Sequence, residues 1–407
     1  MLRFSIPRVY SALSHRTRRL TRLTWLGGKK NGISMGSTKV HYTVLHTESS
    51  LGWGGQEKRI FSEAEVMRQR GHTILLAADF RSELYHRGKE AGFALFPLTF
   101  GGCRNLAACL SLRQVLRRQR VEILNTHSSL DSWVGHLAAM GRRDRVKLVR
   151  TRHLSTPIRS SWPTRWLYQS PDAIITTGQA IKELIAKRVG VAEHKIYSIP
   201  TGVPLDRFYP HPSTAGRTEL LPAWPPDACI IGSVAVLRTW KGHNFLLEAV
   251  AKILAQEEKV YLVLVGDGPI RHLVEEKVAA LNLNDRVLLT GYQDDVPAWL
   301  ALMDIVVLAS YANEGVPQSL LQAMAMARPV IGTTCGGIPE IVTDGVNGLL
   351  TPPKDPEALT QALIQLIRNP AQRQEFGLNG LRLVQERFSL EQMAAAMEQV
   401  YEHILAE

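Results

Sequence analysis

Short continuous apolar runs alternate with amphipathic stretches from Val40 onward. In the amphipathic stretches apolar residues recur three and four positions apart, which predicts helices at 57–70, 106–120 and 179–189. The apolar runs between them are short and continuous, as expected of strands buried on both faces of a parallel sheet. These strands are predicted at 40–46, 73–78, 121–125, 147–150, 173–177 and 195–199.

A second alternating series follows a proline-rich stretch at 204–226, with strands predicted at 229–237, 260–265, 287–290, 305–308 and 329–332. The chain from 355 to the C-terminus is predicted to be mostly helical. The pattern predicts an α/β fold of two Rossmann-like, doubly wound domains that face each other across a cleft, with a C-terminal helical tail. The predicted boundaries are an extension at 1–34, a first domain at 35–206, a linker at 207–227, a second domain at 228–385 and a helix at 386–407.

The composition is that of an ordinary globular protein, with 45% hydrophobic and 21% charged residues among 407. No apolar run approaches the roughly 18 residues that a membrane span needs. The four cysteines show no CxxC spacing, which argues against a disulfide framework and a structural zinc site and favours a reducing, cytoplasmic location.

The net charge of +11 is distributed unevenly along the chain. Residues 1–34 contain eight basic residues and no acidic one, residues 35–206 carry +11, and residues 207–407 carry −8. Such opposite signs argue against a nucleic-acid binder. We expect the extension at 1–34 to be disordered; its composition fits a targeting peptide, an arm that touches anionic lipid, or a reading frame extended upstream of a natural start at Met35.

Glycines and histidines follow the predicted strands of the first domain. Gly54 and Gly55 precede a helix whose positive N-terminus favours an anion. His127 and His153 each follow a strand, and this places both at the cleft. A single histidine in such a position is more often structural than catalytic, but two at successive strand ends favour a functional role. Motifs for a metal site, a catalytic triad or a nicotinamide-binding site are absent from the sequence.

The second domain presents charged and glycine-rich loops at its predicted strand ends. Arg238 and Lys241 lie three positions apart. A planar guanidinium beside a compact ammonium suits a diphosphate, but two such charges also occur on ordinary solvated loops. Glu314 follows a strand, and Gln322 lies two helical turns beyond it. Further glycine turns occur at Gly266 and at the Gly336–Gly337 pair.

Taken together and in this order, these motifs resemble the family 4 glycosyltransferases, retaining enzymes of the two-Rossmann GT-B type. The resemblance extends from about residue 40 to the C-terminus. The residues within the motifs are similar to those of bacterial members that act in lipopolysaccharide and surface-glycan assembly. It rests on the glycines at 52–55, the string at 201–208, Arg238 with Lys241, the turn at 265–269, Glu314 with Gln322, and the loop at 336–340. Two positions depart from the family pattern: Gln322 replaces the second glutamate of Glu-x7-Glu, and Val236 stands where the family has its arginine.

The resemblance implies a transfer of sugar from a nucleotide-sugar to a glycan or glycolipid, without cofactor or metal. It implies catalytic roles for His127, Arg238, Lys241 and Glu314. It also implies that the donor contacts Gly54, Gly55, Gly266, Gly315, Val316, Gln322, Gly336 and Gly337, while Arg152 and His153 are candidates on the acceptor side.

Two other function classes stay open at this point. One is a sugar-nucleotide epimerase, which uses the same fold. The other is a non-catalytic nucleotide- or lipid-binding protein that keeps the transferase fold but has lost the activity. The clustered basic residues of the first domain predict a peripheral association with an anionic membrane surface or a phosphorylated glycolipid, on the inner face of the plasma membrane. A solvated basic face is the plainer interpretation of the same cluster.

Overall fold

The computed structural model describes residues 41–102, 104–142, 145–153, 156–210, 216–217, 220–221 and 223–407. The extension predicted at 1–34 lies outside the described residues, as do parts of the predicted linker.

The first domain contains a parallel sheet of seven strands in the order β3-β2-β1-β4-β5-β6-β7. Its strands are β1 (Thr43–Glu48), β2 (Thr73–Ala78), β3 (Ala94–Pro97), β4 (Ile123–Thr126), β5 (Lys147–Arg152), β6 (Ala173–Thr176) and β7 (Ile196–Ser198). The strand order reverses between β1 and β4, which makes the loops after these two strands the expected ligand crevice.

In the described part of this domain, six helices lie between the strands along the chain: α1 (Gly55–Gln69), α2 (Glu83–Glu90), α3 (Arg104–Arg118), α4 (Ser129–Ala139), α5 (Trp162–Gln169) and α6 (Gln179–Val189). Successive residues of each central strand enter opposite cores, as Val44 and Leu45 of β1 do. Both faces of the sheet are therefore buried, and this explains why its strands are continuous apolar runs.

The second domain repeats this plan with six parallel strands in the order β10-β9-β8-β11-β12-β13. These are β8 (Cys229–Val234), β9 (Val260–Val265), β10 (Val287–Gly291), β11 (Ile305–Leu308), β12 (Val330–Thr333) and β13 (Gly348–Thr351). Its helices are α7 (His243–Ile253), α8 (Arg271–Ala280), α9 (Val296–Leu302), α10 (Gln318–Ala325), α11 (Pro356–Arg368) and α12 (Pro370–Arg387). The switch point lies between β8 and β11, so Arg238, Lys241 and Glu314 follow the two strands that flank it.

The last helix, α13 (Leu390–Ala406), returns to the first domain. Its buried residues Met393, Met397 and Tyr401 belong to the same core as Ile60 of α1. The chain returns to the first domain beside Val203. The Val203 N–H donates to Phe388 O at 2.7 Å, and its carbonyl accepts from the Leu390 N–H at 3.1 Å. The C-terminal helix is therefore a structural part of the first domain.

The predicted α/β architecture of two Rossmann-like domains and a helical tail is confirmed, with two additions. Strands β3 and β13 form sheet edges that the hydrophobic pattern did not indicate. The strand predicted at 229–237 ends at Val234. Leu237 is nevertheless buried, and its N–H donates to Asp267 O at 3.0 Å, which joins the chain after β8 to the loop after β9.

Candidate active site

Lys241 and Glu314 meet at the switch point of the second sheet. Lys241 ends a short 3-10 turn, Thr239–Lys241, and its ammonium forms an ion pair with Glu314 Oε1. Ser310 Oγ donates to the same carboxylate oxygen at 2.6 Å. Glu314 is only 5% exposed, whereas the Lys241 side chain is 20% exposed. The arrangement places a partly accessible cation beside a buried carboxylate at the carboxyl edge of the sheet.

The glycine loops hold this pair in place through the backbone. Gly242 has φ +71°, and a Cβ there would lie 1.9 Å from Ala309 O. Gly336 has φ +56°, and a Cβ there would lie 2.2 Å from Glu314 O. Both positions need a left-handed conformation in close contact with a neighbouring strand end, so a side chain would displace Lys241 or Glu314. Gly337 N–H adds a hydrogen bond of 3.3 Å to Glu314 O.

The structure does not place Arg238 against the Lys241–Glu314 pair. Its side chain is exposed and lies over the ring of Trp240, with Cζ 5.1 Å from the ring centroid. Gly266 packs closely against the start of this loop, because a Cβ at that position would lie 2.0 Å from Ala235 O. Gln322 is half-buried on α10, while Val316 belongs to the core of the second domain.

Three histidines form a hydrogen-bonded chain in the first domain. His46 Nδ1 lies 2.9 Å from His127 Nε2, and His127 Nδ1 lies 3.0 Å from His153 Nε2. Burial holds the pKa of His127 well below its usual range, and the adjacent His153 and His46 act in the same direction. Burial likewise lowers the pKa of His46 and of His153. The chain consists of neutral imidazoles.

Sequence reasoning found two members of this chain and missed the third. His127 and His153 follow β4 and β5, whereas His46 lies within β1, where the sequence predicts only a strand residue. The available signal was position: His46 is near the carboxyl end of the strand beside β4. Glu63 was also missed, because it comes from the middle of α1 and approaches His46 Nε2 at 4.0 Å.

Two carboxylates that are far apart in the sequence are neighbours beside this chain. Burial raises the pKa of Glu48 to about 7, and the nearby Asp131 carboxylate adds to the effect. Asp131 accepts hydrogen bonds from Thr47 Oγ1 at 2.9 Å and from the His127 N–H at 2.8 Å. Burial also raises the pKa of Asp131. The sequence gives no signal for this pair, because the two residues are far apart along the chain and belong to no carboxylate motif.

The other predicted residues of the first domain have protein partners in this structure. Gly54 N–H donates to Glu57 Oε2 at 2.7 Å, which is the glutamate half of a capping box at the start of α1, where Gly55 is the first helical residue. Arg152 donates to Tyr168 Oη at 2.5 Å and to Thr156 O at 2.6 Å.

The two domains touch along the cleft. Glu340 Oε2 accepts from the Gln179 N–H at 2.7 Å, and Gln318 Nε2 donates to Thr201 O at 2.7 Å. Gly315 faces Thr177, whose Oγ1 donates to His153 O at 3.2 Å. These contacts bring the loop that contains Glu314 beside His153, the last member of the histidine chain.

Among the described residues, no group of three or more His, Cys, Asp or Glu side chains is arranged to hold a metal ion. The helices in the described part of the chain include none with the length and apolarity required to cross a membrane.

Two family models match successive parts of the chain. Residues 53–207 match the Glycosyltransferase Family 4 model, and residues 226–369 match the model for Glycosyl transferases group 1. Between them the two models span most of both domains.

Curated relatives match over most of the chain. The lipopolysaccharide core biosynthesis mannosyltransferase LpcC of Rhizobium leguminosarum is 28% identical over 71% of this chain and 80% of its own length. An Escherichia coli enzyme named as a UDP-Gal:alpha-D-GlcNAc-diphosphoundecaprenol alpha-1,3-galactosyltransferase is 26% identical over 82% of this chain and 90% of its own length.

Solved structures share the fold. A glycosyltransferase from Rickettsia africae has a TM-score of 0.82 at 23% identity, covering 90% of this chain and 99% of its own. The Anabaena protein HepE, solved in complex with UDP-glucose, has a TM-score of 0.77 at 21% identity, covering 90% of this chain and 100% of its own.

Proposed function

Because the chain is a glycosyltransferase of the family 4, GT-B type, we propose that it transfers a sugar, with retention, from a nucleotide-sugar to a glycan or glycolipid in surface-polysaccharide synthesis. The observation that carries this proposal is the Lys241–Glu314 pair, held by glycine loops at the switch point of the second sheet. A sugar diphosphate offers both groups a partner: an anion for the ammonium and hydroxyls for the carboxylate.

The donor diphosphate binds at the second domain in this proposal. The sugar–phosphate bond breaks with its electron pair going to the phosphate, so negative charge grows on the leaving group. Lys241, half-buried and already positioned by Glu314, stabilises that charge, and the exposed Arg238 turns from Trp240 to the diphosphate. Glu314 then accepts hydrogen bonds from donor-sugar hydroxyls, and the half-buried Gln322 accepts one from the nucleotide ribose.

The acceptor approaches from the first domain. Its hydroxyl forms the new bond to the anomeric carbon on the face that the diphosphate leaves, and its proton passes to a phosphate oxygen. Retention follows without a covalent enzyme intermediate. The named relatives act in lipopolysaccharide core synthesis and on a lipid diphosphate, and this supports a surface-glycan acceptor.

We further propose a peripheral position on the inner face of the plasma membrane, in which the surface of α3 contacts the lipid. Leu106 and Leu110 of α3 are 71% and 62% exposed. Arg113 and Arg117 lie three and seven positions after Leu110, which places them on the same side of α3. Exposed leucines among arginines are the composition of a helix face that lies on an anionic lipid surface.

A thermal-shift screen against UDP-, GDP- and ADP-sugars tests the donor. A ligand present at 100 times its Kd stabilises the folded chain by about 2.7 kcal/mol. Incubation of the best donor, labelled in its sugar, with a bacterial lipid extract then tests transfer, and the anomeric configuration of the labelled product tests retention. Isomerised nucleotide-sugar formed without any acceptor would instead indicate an epimerase, and donor binding without turnover would indicate a binding protein.

A further inference from the structure

A short turn at 79–82 follows β2 at the carboxyl edge of the first sheet, on the strand next to β1. The strands β1 and β2 end level with each other, because Glu48 pairs with Ala78. The turn therefore lies beside the glycine loop after β1. The Glu83 N–H, directly after the turn, donates to Leu51 O of that loop at 3.4 Å. The turn thus adjoins a loop that borders the expected ligand crevice.

A buried carboxylate fixes the shape of this turn. Asp79 is 2% exposed and accepts from Arg81 Nε at 2.9 Å and from Arg81 Nη2 at 2.8 Å. It also accepts from the Arg81 N–H at 3.0 Å, and Ser82 Oγ donates to the Asp79 carbonyl at 2.7 Å. The Arg81 side chain lowers the pKa of Asp79 to about 2, so this carboxylate stays ionised at neutral pH.

The turn presents a ring and a cation that are held in place but left open. Phe80 is 55% exposed, and the Arg81 side chain is 50% exposed. Arg81 Cζ lies 5.8 Å from the centre of the Phe80 ring, so one ligand can contact both groups. A guanidinium has five N–H groups, and the Asp79 carboxylate engages two of them. Nη1 donates to none of the residues that the structure describes, so its two N–H groups are left for an anion.

We propose that Phe80 and Arg81 bind a sugar unit of the acceptor that carries an anionic group, a phosphate or a carboxylate. The C–H face of the sugar packs on the Phe80 ring, and the anion accepts hydrogen bonds from Arg81 Nη1. A single exposed phenylalanine is common on protein surfaces. Here a guanidinium already fixed by Asp79 stands beside the ring, so little side-chain entropy remains to be lost when a ligand binds.

This inference rests on the proposed function, in which the acceptor approaches from the first domain. Because β2 is next to the switch point rather than at it, the bound unit is a neighbour of the one that receives the transferred sugar. Phe80 and Arg81 therefore add affinity and specificity for the acceptor and do not touch the reacting atoms.

Saturation-transfer NMR on the full chain tests this binding without a donor. The probes are glucose 6-phosphate, glucuronate and neutral methyl glucoside, with inorganic phosphate as a competitor that lacks the sugar face. We expect the two anionic sugars to bind, and the tighter of them tells phosphate from carboxylate. Methyl glucoside should bind about tenfold more weakly, because it lacks the charge-assisted hydrogen bond. Absence of binding by both anionic sugars would overturn the proposal.

Variants separate the two contacts. Phe80→Ala should weaken binding of the preferred anionic sugar about tenfold, and Phe80→Trp should stay within about twofold of wild type, since a larger ring preserves the packing. Arg81→Lys should keep only part of the preference for anionic sugars, because an ammonium lacks the planar fork. Met140→Ala is the matched control, since Met140 is 53% exposed and follows the end of α4 at the opposite edge of the sheet. Unchanged sugar binding in Phe80→Ala would overturn the proposal.

Turnover with an acceptor from the lipid extract supplies the second measurement. Phe80→Ala should raise the acceptor KM about tenfold and leave kcat and the stabilisation by the donor unchanged. Active transfer with equal acceptor KM in Phe80→Ala and wild type would overturn this inference alone. Sugar binding that depends on Phe80 in a chain without transfer would support this site and contradict the proposed function. Weaker binding of Phe80→Ala to anionic vesicles, with sugar binding intact, would assign the ring to lipid and overturn the sugar site.

Discussion

The carboxylate of Glu340 accepts a hydrogen bond of 2.7 Å from the backbone N–H of Gln179, so a side chain of the second domain caps a helix of the first. Its other oxygen accepts from the Ala180 N–H at 3.0 Å. Gly178, directly before the helix, has no side chain to supply a cap. Glu340 thus satisfies amide groups at the N-terminus of α6 and joins the two sides of the cleft.

Glu340→Ala should cost about 1 kcal/mol of stability and should loosen the contact between domains. We expect faster hydrogen exchange at Gln179 and Ala180 and a lower kcat/KM for the donor. Asp355→Ala is the matched control, since Asp355 caps α11 within the second domain by accepting from the Ala358 N–H at 2.9 Å. If both variants lose equal stability but exchange at α6 is unchanged in Glu340→Ala, the contact does not hold the domains together.

Lys241→Ala and Glu314→Ala should each lower transfer about 100- to 1000-fold with the fold intact, the size of effect seen when a group that stabilises transition-state charge is removed. Lys241→Ala also leaves Glu314 buried with Ser310 as its remaining described partner. Lys252→Ala removes an exposed ion pair with Glu357 and should leave transfer unchanged. Turnover near the wild-type level in Lys241→Ala or Glu314→Ala would refute the site assignment.

Gln322→Glu should be tolerated and should tighten binding of the donor nucleotide, because a carboxylate accepts a ribose hydroxyl hydrogen bond more strongly than an amide does. Isothermal titration with the nucleotide diphosphate measures the change. Gln365→Glu, at an exposed position of α11, is the control for added negative charge in the same domain. Complete loss of activity in Gln322→Glu alone would show that the neutral amide has a role of its own.

The sequence predicted the central strands better than the edges for a physical reason. Central strands such as β9 are buried on both faces and read as continuous apolar runs. The edge strand β3 is half-exposed and ends in Pro97, and β13 begins with Gly348 and ends with Thr351, so neither produces such a run.

The site shows the same division. Lys241 and Glu314 could be proposed because each follows an apolar run at a predicted strand end. His46 and its neighbour Glu63 could not, since His46 is inside a strand and Glu63 is inside a helix. Only the packing of α1 against β1 brings these two residues together.

The raised pKa of Glu48 predicts how stability changes with pH. The folded chain keeps a proton on Glu48 up to about pH 7, whereas an unfolded carboxyl releases it near pH 4.5. The resulting stability is complete below about pH 4.5 and is lost as pH rises to 7. Glu48→Gln cannot ionise, so it should exceed wild type by less than about 1 kcal/mol at pH 5 and by up to about 3 kcal/mol at pH 8.

Urea unfolding at pH 5 and pH 8 measures this difference. Glu83→Gln, at a half-exposed position of α2, is the control and should follow wild type at both values. The raised pKa of Asp131 acts in the same direction, so some dependence on pH should persist in Glu48→Gln. A wild-type chain that is equally stable at both pH values would contradict the assignment.

Vesicle co-sedimentation tests the basic, leucine-bearing side of α3. Each basic residue near an anionic surface contributes about 1 kcal/mol at low salt, and salt weakens that attraction, whereas insertion of an exposed leucine is insensitive to salt. We expect the full chain, and a chain that starts at Met35, to bind anionic vesicles better than neutral ones.

Leu106→Ser with Leu110→Ser should reduce binding that persists at high salt, and Arg113→Glu with Arg117→Glu should remove the preference for anionic lipid. Leu378→Ser removes an exposed leucine from α12 of the acidic second domain and is the control. It should change neither the binding at high salt nor the preference for anionic lipid. Equal binding to anionic and neutral vesicles at low salt would show that the basic residues of the first domain do not attract anionic lipid. That result would contradict the membrane assignment and favour a soluble acceptor.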